Sequence, residues 1–299
     1  MLNKLTDHPI RTTQEMMALI LDTAREDQRI RAAILNGSRA NPNVTPDRFQ
    51  DYDIVYIVTE LAPFLPDTNW IDRFGERMIL QLPDRMGDPT PRADGGFTYL
   101  MQFMDGSRID LTLIPVEHIK DMEEDSLSLL LLDKDNLFEP FPPPDETSYL
   151  PTPPTHKAFA DCCNEFWWVC PYAAKALARE EILYAKQVLD GTLRQQLMTM
   201  LTWWFGIGTN FKRNPGKGGR HLKEVLPPQR WELLLGTFSS ADIEAIWQAL
   251  FQMTTLFRVT ALEVAGSFKF NYPDKEDRNV SQYLAEIRQS ATSERSKSS

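Results

Sequence analysis

The sequence predicts an α+β protein, with a mixed sheet and flanking helices in the N-terminal half followed by a mostly α-helical C-terminal domain. Three observations predict it. Segments rich in β-branched and aromatic residues fall before Pro140. Seven prolines crowd the stretch from Pro140 to Pro154, too many for regular structure. Beyond them, apolar residues recur at helical spacing. A length of 299 residues also exceeds the usual size of one core. The expected divisions are a first domain at 1–140, a Pro-rich linker at 141–154, a helical domain at 155–289 and a disordered polar tail at 290–299.

Each element has its own signal. Thr12-Thr13-Gln14-Glu15 is a capping-box pattern, and it precedes Met16, Met17, Ile20, Leu21 and Ala24 at helical spacing. Ile30 to Leu35 then predicts a short strand that runs into the turn Asn36-Gly37-Ser38-Arg39. After a polar loop, Tyr52 to Val58 is a second strand. Trp70 to Ile79 is expected to be a helix. Phe97 to Met104 and Arg108 to Ile114 are expected to pair as a hairpin, since Asp105-Gly106 between two apolar runs favours a tight turn. In the second half, Cys162–Ala178, Glu181–Asp190, Arg194–Gly206, Gln229–Gly236 and Ala241–Ala265 carry helical periodicity.

Hydrophobic residues at 42% and charged residues at 25% are an ordinary balance for a soluble globular chain. No apolar run approaches the ~20 residues that cross a bilayer. The first 17 residues contain no continuous apolar region and no small-residue cleavage site, so a cytoplasmic protein without membrane contact is expected. Cys162, Cys163 and Cys170 are an odd set without metal-ligand spacing and read as buried thiols. A net charge of -10 favours a cationic ligand over nucleic acid. A monomer with a small-molecule partner is the expectation.

The chemistry is carried by Gly37-Ser38, then Asp51 and Asp53, then Asp110. Side chains alternate along a strand, so Asp51 and Asp53 point to one face. Carboxylates held together repel unless a cation lies between them. Asp110, on a neighbouring strand, adds a third, and three hard oxygen donors suit Mg²⁺. The glycine of the Gly37-Ser38 turn allows close approach of a phosphate, with N–H groups and the serine hydroxyl as donors. A Gly-Ser turn alone is commonplace, and an Asp-x-Asp alone can be a solvated strand end. Their order along the chain is the specific signal.

That order resembles the nucleotidyltransferase signature, and more closely the streptomycin (aminoglycoside) 6-adenylyltransferases. The resembling stretches include Ile34-Leu35-Asn36-Gly37-Ser38-Arg39, Phe49-Gln50-Asp51-Tyr52-Asp53-Ile54 and Asp110-Leu111-Thr112-Leu113-Ile114-Pro115. Leu131-Leu132-Asp133-Lys134-Asp135, Cys162-Cys163-Asn164-Glu165-Phe166-Trp167 and Lys175-Ala176-Leu177-Ala178-Arg179 extend it, so that it runs from about Thr13 to Asp274. The resemblance implies a nucleotidyltransferase-type N-terminal domain that carries AMP from MgATP to the 6-hydroxyl of streptomycin. Pyrophosphate leaves, and the drug is inactivated. It implies that Asp51 and Asp53 hold the metal, that Asp110 joins them or acts as general base, and that Gly37, Ser38 and Arg39 lie near the triphosphate.

In the second domain, Asp161, Glu165, Trp167 and Glu181 are the candidates for a guanidinium-bearing substrate, because carboxylates pair with guanidinium and an indole face attracts cations. Adjacent Trp167 and Trp168 point about 100° apart on a helix, so one of them faces a site. Lys217, in a glycine-rich basic loop where the family has Gly-Lys, and Lys175 are the phosphate candidates. The active site is expected between the domains. Alternatives are another aminoglycoside, a protein or RNA acceptor, or a module that binds nucleotide or drug without reaction.

Overall fold

The computed structural model of the protein describes residues 8–65, 68–88 and 92–298. The chain divides into two compact units between Ser148 and Tyr149, inside the proline-rich stretch.

The first unit opens with α1 (Thr13–Glu26). Its capping box is formed: the Glu15 N–H donates to Thr12 Oγ1 at 3.2 Å, and the Thr12 N–H donates to Glu15 Oε2 at 2.7 Å. α1 buries Met16, Ile20, Thr23 and Ala24. The strands follow as β1 (Ile30–Asn36), β2 (Tyr52–Val58), β3 (Arg77–Gln81), β4 (Phe97–Phe103), β5 (Arg108–Pro115) and β6 (Ser128–Asp133). They form one sheet in the order β3-β4-β5-β2-β1-β6. Among the described residues, only β2 and β5 pair in parallel, and every other neighbouring pair is antiparallel. β1 and β2 are interior strands buried on both faces, which is why they read as continuous apolar runs. On one face Ile30, Ala33, Leu35, Ile54, Tyr56 and Leu111 join the core beneath α1. On the other, Ala32, Ile34, Val55, Ile57 and Ile114 form a smaller core.

Two expectations for this unit change. Trp70 to Ile79 is not an α-helix: a 3-10 segment runs over Thr68–Phe74, and Arg77–Gln81 becomes the edge strand β3. Gly75, at φ +119°, breaks any helix there, and β4 offers Ile79 and Leu80 the partners Gln102 and Met101. β6 was not expected, because the four-leucine run Leu129–Leu132 carries no alternation to mark it as a strand. It pairs along β1, with Leu35 opposite Leu129.

The second unit is helical: α2 (His156–Ala178), α3 (Ile182–Val188), α4 (Arg194–Gly208), α5 (Pro228–Leu235), α6 (Ile243–Phe268) and α7 (Asp274–Ser298). Its core is built from α2, α4 and α6; the rings of Phe166 and Phe257 stack with centroids 3.7 Å apart. The three cysteines are buried and unbridged. Burial pushes the Cys162 thiol up to about 12 and the other two upward as well, which makes them unreactive core groups. α7 is fastened through Asp277, which accepts from Arg258 Nε at 2.6 Å and from Tyr272 Oη at 2.7 Å.

The tail expected to be disordered instead continues α7 to Ser298. It contains neither proline nor glycine to break the helix. Among the described residues, no helix is long and apolar enough to cross a membrane.

Candidate active site

The register of the sheet builds the site. Ser128, Asn36, Asp53 and Asp110 lie side by side across β6, β1, β2 and β5. This polar row crosses the sheet where the Gly37-Ser38 turn leaves β1. Alternation puts Asp53 on the face of Val55 and Ile57, and Asp110 on the face of Thr112 and Ile114. Ser128 donates its hydroxyl to Asn36 Oδ1 at 2.9 Å, which fixes the β6 end of the row.

Gly37 is required where it stands. Its φ is +73°, and a Cβ there would meet Asp53 Oδ2 at 2.3 Å. A side chain would therefore be strained by the backbone and would collide with the carboxylate. The Gly37 N–H donates to the Leu127 carbonyl at 3.0 Å, which ties the turn to the segment entering β6. Ser38 follows in a 3-10 turn.

Asp53 sits among negative charge. Burial, together with the carboxylates of Asp110 and Asp51, pushes its carboxyl up to about 6, against a smaller opposing pull from Arg108. Asp125, just before β6, raises it further. Asp51 lies one residue before β2, and its side chain is 39% exposed. Asp110 is engaged by Arg108, whose Nε and Nη2 donate to its two oxygens, both at 2.7 Å. The same Nε lies 3.6 Å from Asp51 Oδ2. Where the sequence predicts three converging carboxylates, the structure therefore places three carboxylates and a guanidinium. Among the described residues, no three His, Cys, Asp or Glu side chains converge closely enough, as they stand, to hold a metal ion.

The donor chemistry nevertheless fits a divalent cation. The cluster contains more carboxylate than Arg108 neutralises, and burial together with that excess charge displaces Asp53 upward. Hard carboxylate oxygens are what Mg²⁺ prefers.

The remaining predicted residues are distributed as follows. Arg39 is committed locally: it donates to the carbonyls of Gln50 at 2.8 Å and Asp51 at 3.1 Å, and its guanidinium lies 3.8 Å over the Tyr52 ring. It holds the loop that delivers Asp51 to β2. Trp167 is packed in the helical core at 2% exposure, whereas its neighbour Trp168 is 63% exposed. Lys175, Trp167, Trp168, Tyr172, Glu276 and Tyr283 are among the residues lining a cavity of about 710 Å³ in the second unit. Glu165 and Glu181 are exposed, and Asp161 pairs with Lys157 one turn earlier on α2. Lys217 is exposed in its glycine-rich loop. Asp161, Glu165, Glu181 and Lys217 do not line the cavity that holds Lys175.

Sequence reasoning missed Arg108, Asp125 and Glu276. Arg108 carried a usable signal, since it stands two residues before Asp110 on a strand and must share its face. Asp125 and Glu276 carried none, because tertiary packing brings Asp125 near Asp53 and puts Glu276 in the lining of the second unit's cavity.

A mixed sheet of this order, with a Gly-Ser turn after β1 and aspartates on the parallel pair β2 and β5, is of the nucleotidyltransferase type. Residues 10–287 match the family described as streptomycin adenylyltransferase, and the chain belongs to that family. An aminoglycoside 6-adenylyltransferase from Campylobacter jejuni is 40% identical over 276 residues, 92% of this chain and 95% of its own. One from Bacillus subtilis is 38% identical over 280 residues, 93% of this chain and 98% of its own. A crystal structure of an aminoglycoside 6-adenyltransferase from Bacillus subtilis is 34% identical, covering 93% of this chain and 99% of that one, with a TM-score of 0.46.

Proposed function

We propose that the protein transfers the adenylyl group of ATP to a hydroxyl of an aminoglycoside, the 6-hydroxyl of streptomycin, releasing pyrophosphate and inactivating the drug. The observation that carries this reading is the Asp53–Asp110 pair, in register on parallel strands, with Gly37 packed against the Asp53 carboxylate. The activity named for the relatives supports it. We place the protein in the cytoplasm, acting as a monomer.

Asp51, Asp53 and Asp110 would hold Mg²⁺. When bound, that ion neutralises the phosphate oxygens and makes the attacking hydroxyl more acidic. The reaction is an in-line displacement: the drug oxygen bonds to the α-phosphorus as the bond to the β-phosphate oxygen breaks, and the electron pair leaves on pyrophosphate. Asp110, one strand from Asp53, accepts the hydroxyl proton or completes the ligand set. Loss of turnover with retained cation binding in Asp110→Asn assigns the first role, and loss of both assigns the second. The Ser38 N–H and hydroxyl of the turn following β1 serve the phosphates, and Lys175 and Lys217 are the second unit's separate phosphate candidates. Exposed Glu165 and Glu181, together with Asp161, serve the guanidinium groups of the drug. Trp168, the exposed indole of its pair, offers the aromatic face first assigned to Trp167.

Mass spectrometry tests the reading directly. Streptomycin incubated with protein, ATP and Mg²⁺ should gain one AMP, and it should gain none with Asp53→Asn or with chelator present. A gain on a different aminoglycoside alone would keep the chemistry and replace the substrate. No gain on any aminoglycoside would overturn the function.

A further inference from the structure

The salt bridge at the head of β5 has a chemical consequence for the carboxylate cluster. Arg108 and Asp110 lie two residues apart on one strand face, and the guanidinium meets both Asp110 oxygens at 2.7 Å. Its Nε also stands 3.6 Å from Oδ2 of Asp51, which lies one residue before the neighbouring strand β2. One side chain thus bridges two of the three carboxylates that the proposed function assigns to a divalent cation. A guanidinium is permanently charged and offers a planar fork of donors, so it competes for the same oxygens and the same negative charge. The Arg108 side chain is 38% exposed. It can turn toward solvent without stranding a buried charge, unlike Arg258 on its buried partner Asp277.

We propose that Arg108 is a built-in competitor for the divalent cation, pairing with Asp110 and Asp51 until the cation displaces it. The inference rests on the cation assignment made above. In this arrangement the guanidinium relieves repulsion within the acidic cluster and weakens binding of the cation when no nucleotide is present. Removing it should do the reverse on both counts. The cation should bind more tightly, and the cation-free protein should melt at a lower temperature.

The test is a titration of the full chain with Mn²⁺, followed by electron paramagnetic resonance without nucleotide, for wild type, Arg108→Gln and Arg108→Lys. Arg108→Gln should bind Mn²⁺ about tenfold more tightly than wild type, the scale expected when an opposite charge within a few ångströms of a carboxylate is removed. Its melting temperature should also rise more on adding Mn²⁺. Arg108→Lys keeps the charge and loses the fork, so its affinity should fall between the two. If wild type binds Mn²⁺ and Arg108→Gln binds it equally or more weakly, the competitor role is overturned while the cation assignment stands. If neither folded protein binds Mn²⁺, the assignment falls and the inference falls with it. If Arg108→Gln does not fold by circular dichroism, Arg108→Lys decides: tighter binding than wild type supports the role, and equal or weaker binding overturns it.

Discussion

At the scale of single residues, Asp53 carries an electrostatic cost at the centre of the proposed site. Burial and two neighbouring carboxylates push it up to about 6 from an ordinary 3.8. A carboxyl whose folded value is raised favours the folded state at low pH, and that contribution is lost as pH rises through about 6. Replacing it with asparagine removes a charge the fold does not need. Asp53→Asn should abolish adenylyl transfer and, relative to wild type, should be more stable at pH 8 than at pH 5 by roughly 1–3 kcal/mol. Urea unfolding of the cation-free proteins at both pH values measures this, and an equal difference at the two would show that Asp53 is not under strain. Gly37, whose Cβ would lie 2.3 Å from Asp53 Oδ2, explains why the turn must be glycine, a requirement the sequence suggested only through phosphate approach.

Among the elements, the hairpin of β4 and β5 is joined to the chain's first described segment by an ionic clasp. Asp105, in the turn, accepts from Arg11 Nε at 2.6 Å and from the Ser107 hydroxyl at 2.7 Å. Burial alone would raise this carboxyl, but the hydrogen bonds from Arg11 and Ser107 outweigh it and hold the group well below the usual carboxylate range. The sign is therefore opposite to that of Asp53: the clasp stabilises above about pH 4 and is lost as pH falls below it. Asp105→Asn should lose about 1–3 kcal/mol at pH 7, with the gap to wild type closing toward pH 2 in urea unfolding. A gap that persists in acid would mean that shape, and not charge, holds the turn. Asp105-Gly106 announced the hairpin, but nothing in the sequence announced Arg11 as its partner 94 residues away. β3 shows the converse: local periodicity in Trp70–Ile79 favours a helix, and pairing with β4 overrides it.

Over the whole molecule, a net charge of -10 sets up a field that attracts cations. For a drug with two guanidinium groups, kcat/KM should fall several-fold as salt rises from about 0.02 to about 0.2 M, since the screening length shrinks from about 20 to about 7 Å. Steady-state rates at saturating MgATP over that salt range check this, and a flat profile would remove long-range steering from the account. The division at Ser148 falls within the proline-rich stretch, where the composition changes from mixed strands and helix to helix alone.

Residues near in sequence carried most of what could be read from the chain alone. The capping box of α1, the central strands β1 and β2, the hairpin turn, the helical second half and the aspartates on β2 and β5 all follow from local spacing, because strand alternation and helix capping act over a few residues. Tertiary structure alone decided what meets across distance. It set Asp53 beside Asp110 in register, buried Trp167 and exposed Trp168, turned 77–81 into an edge strand and brought Arg108 against Asp51. These outcomes depend on strand order and on which helix face the core claims, and packing free energy, not local propensity, selects among them.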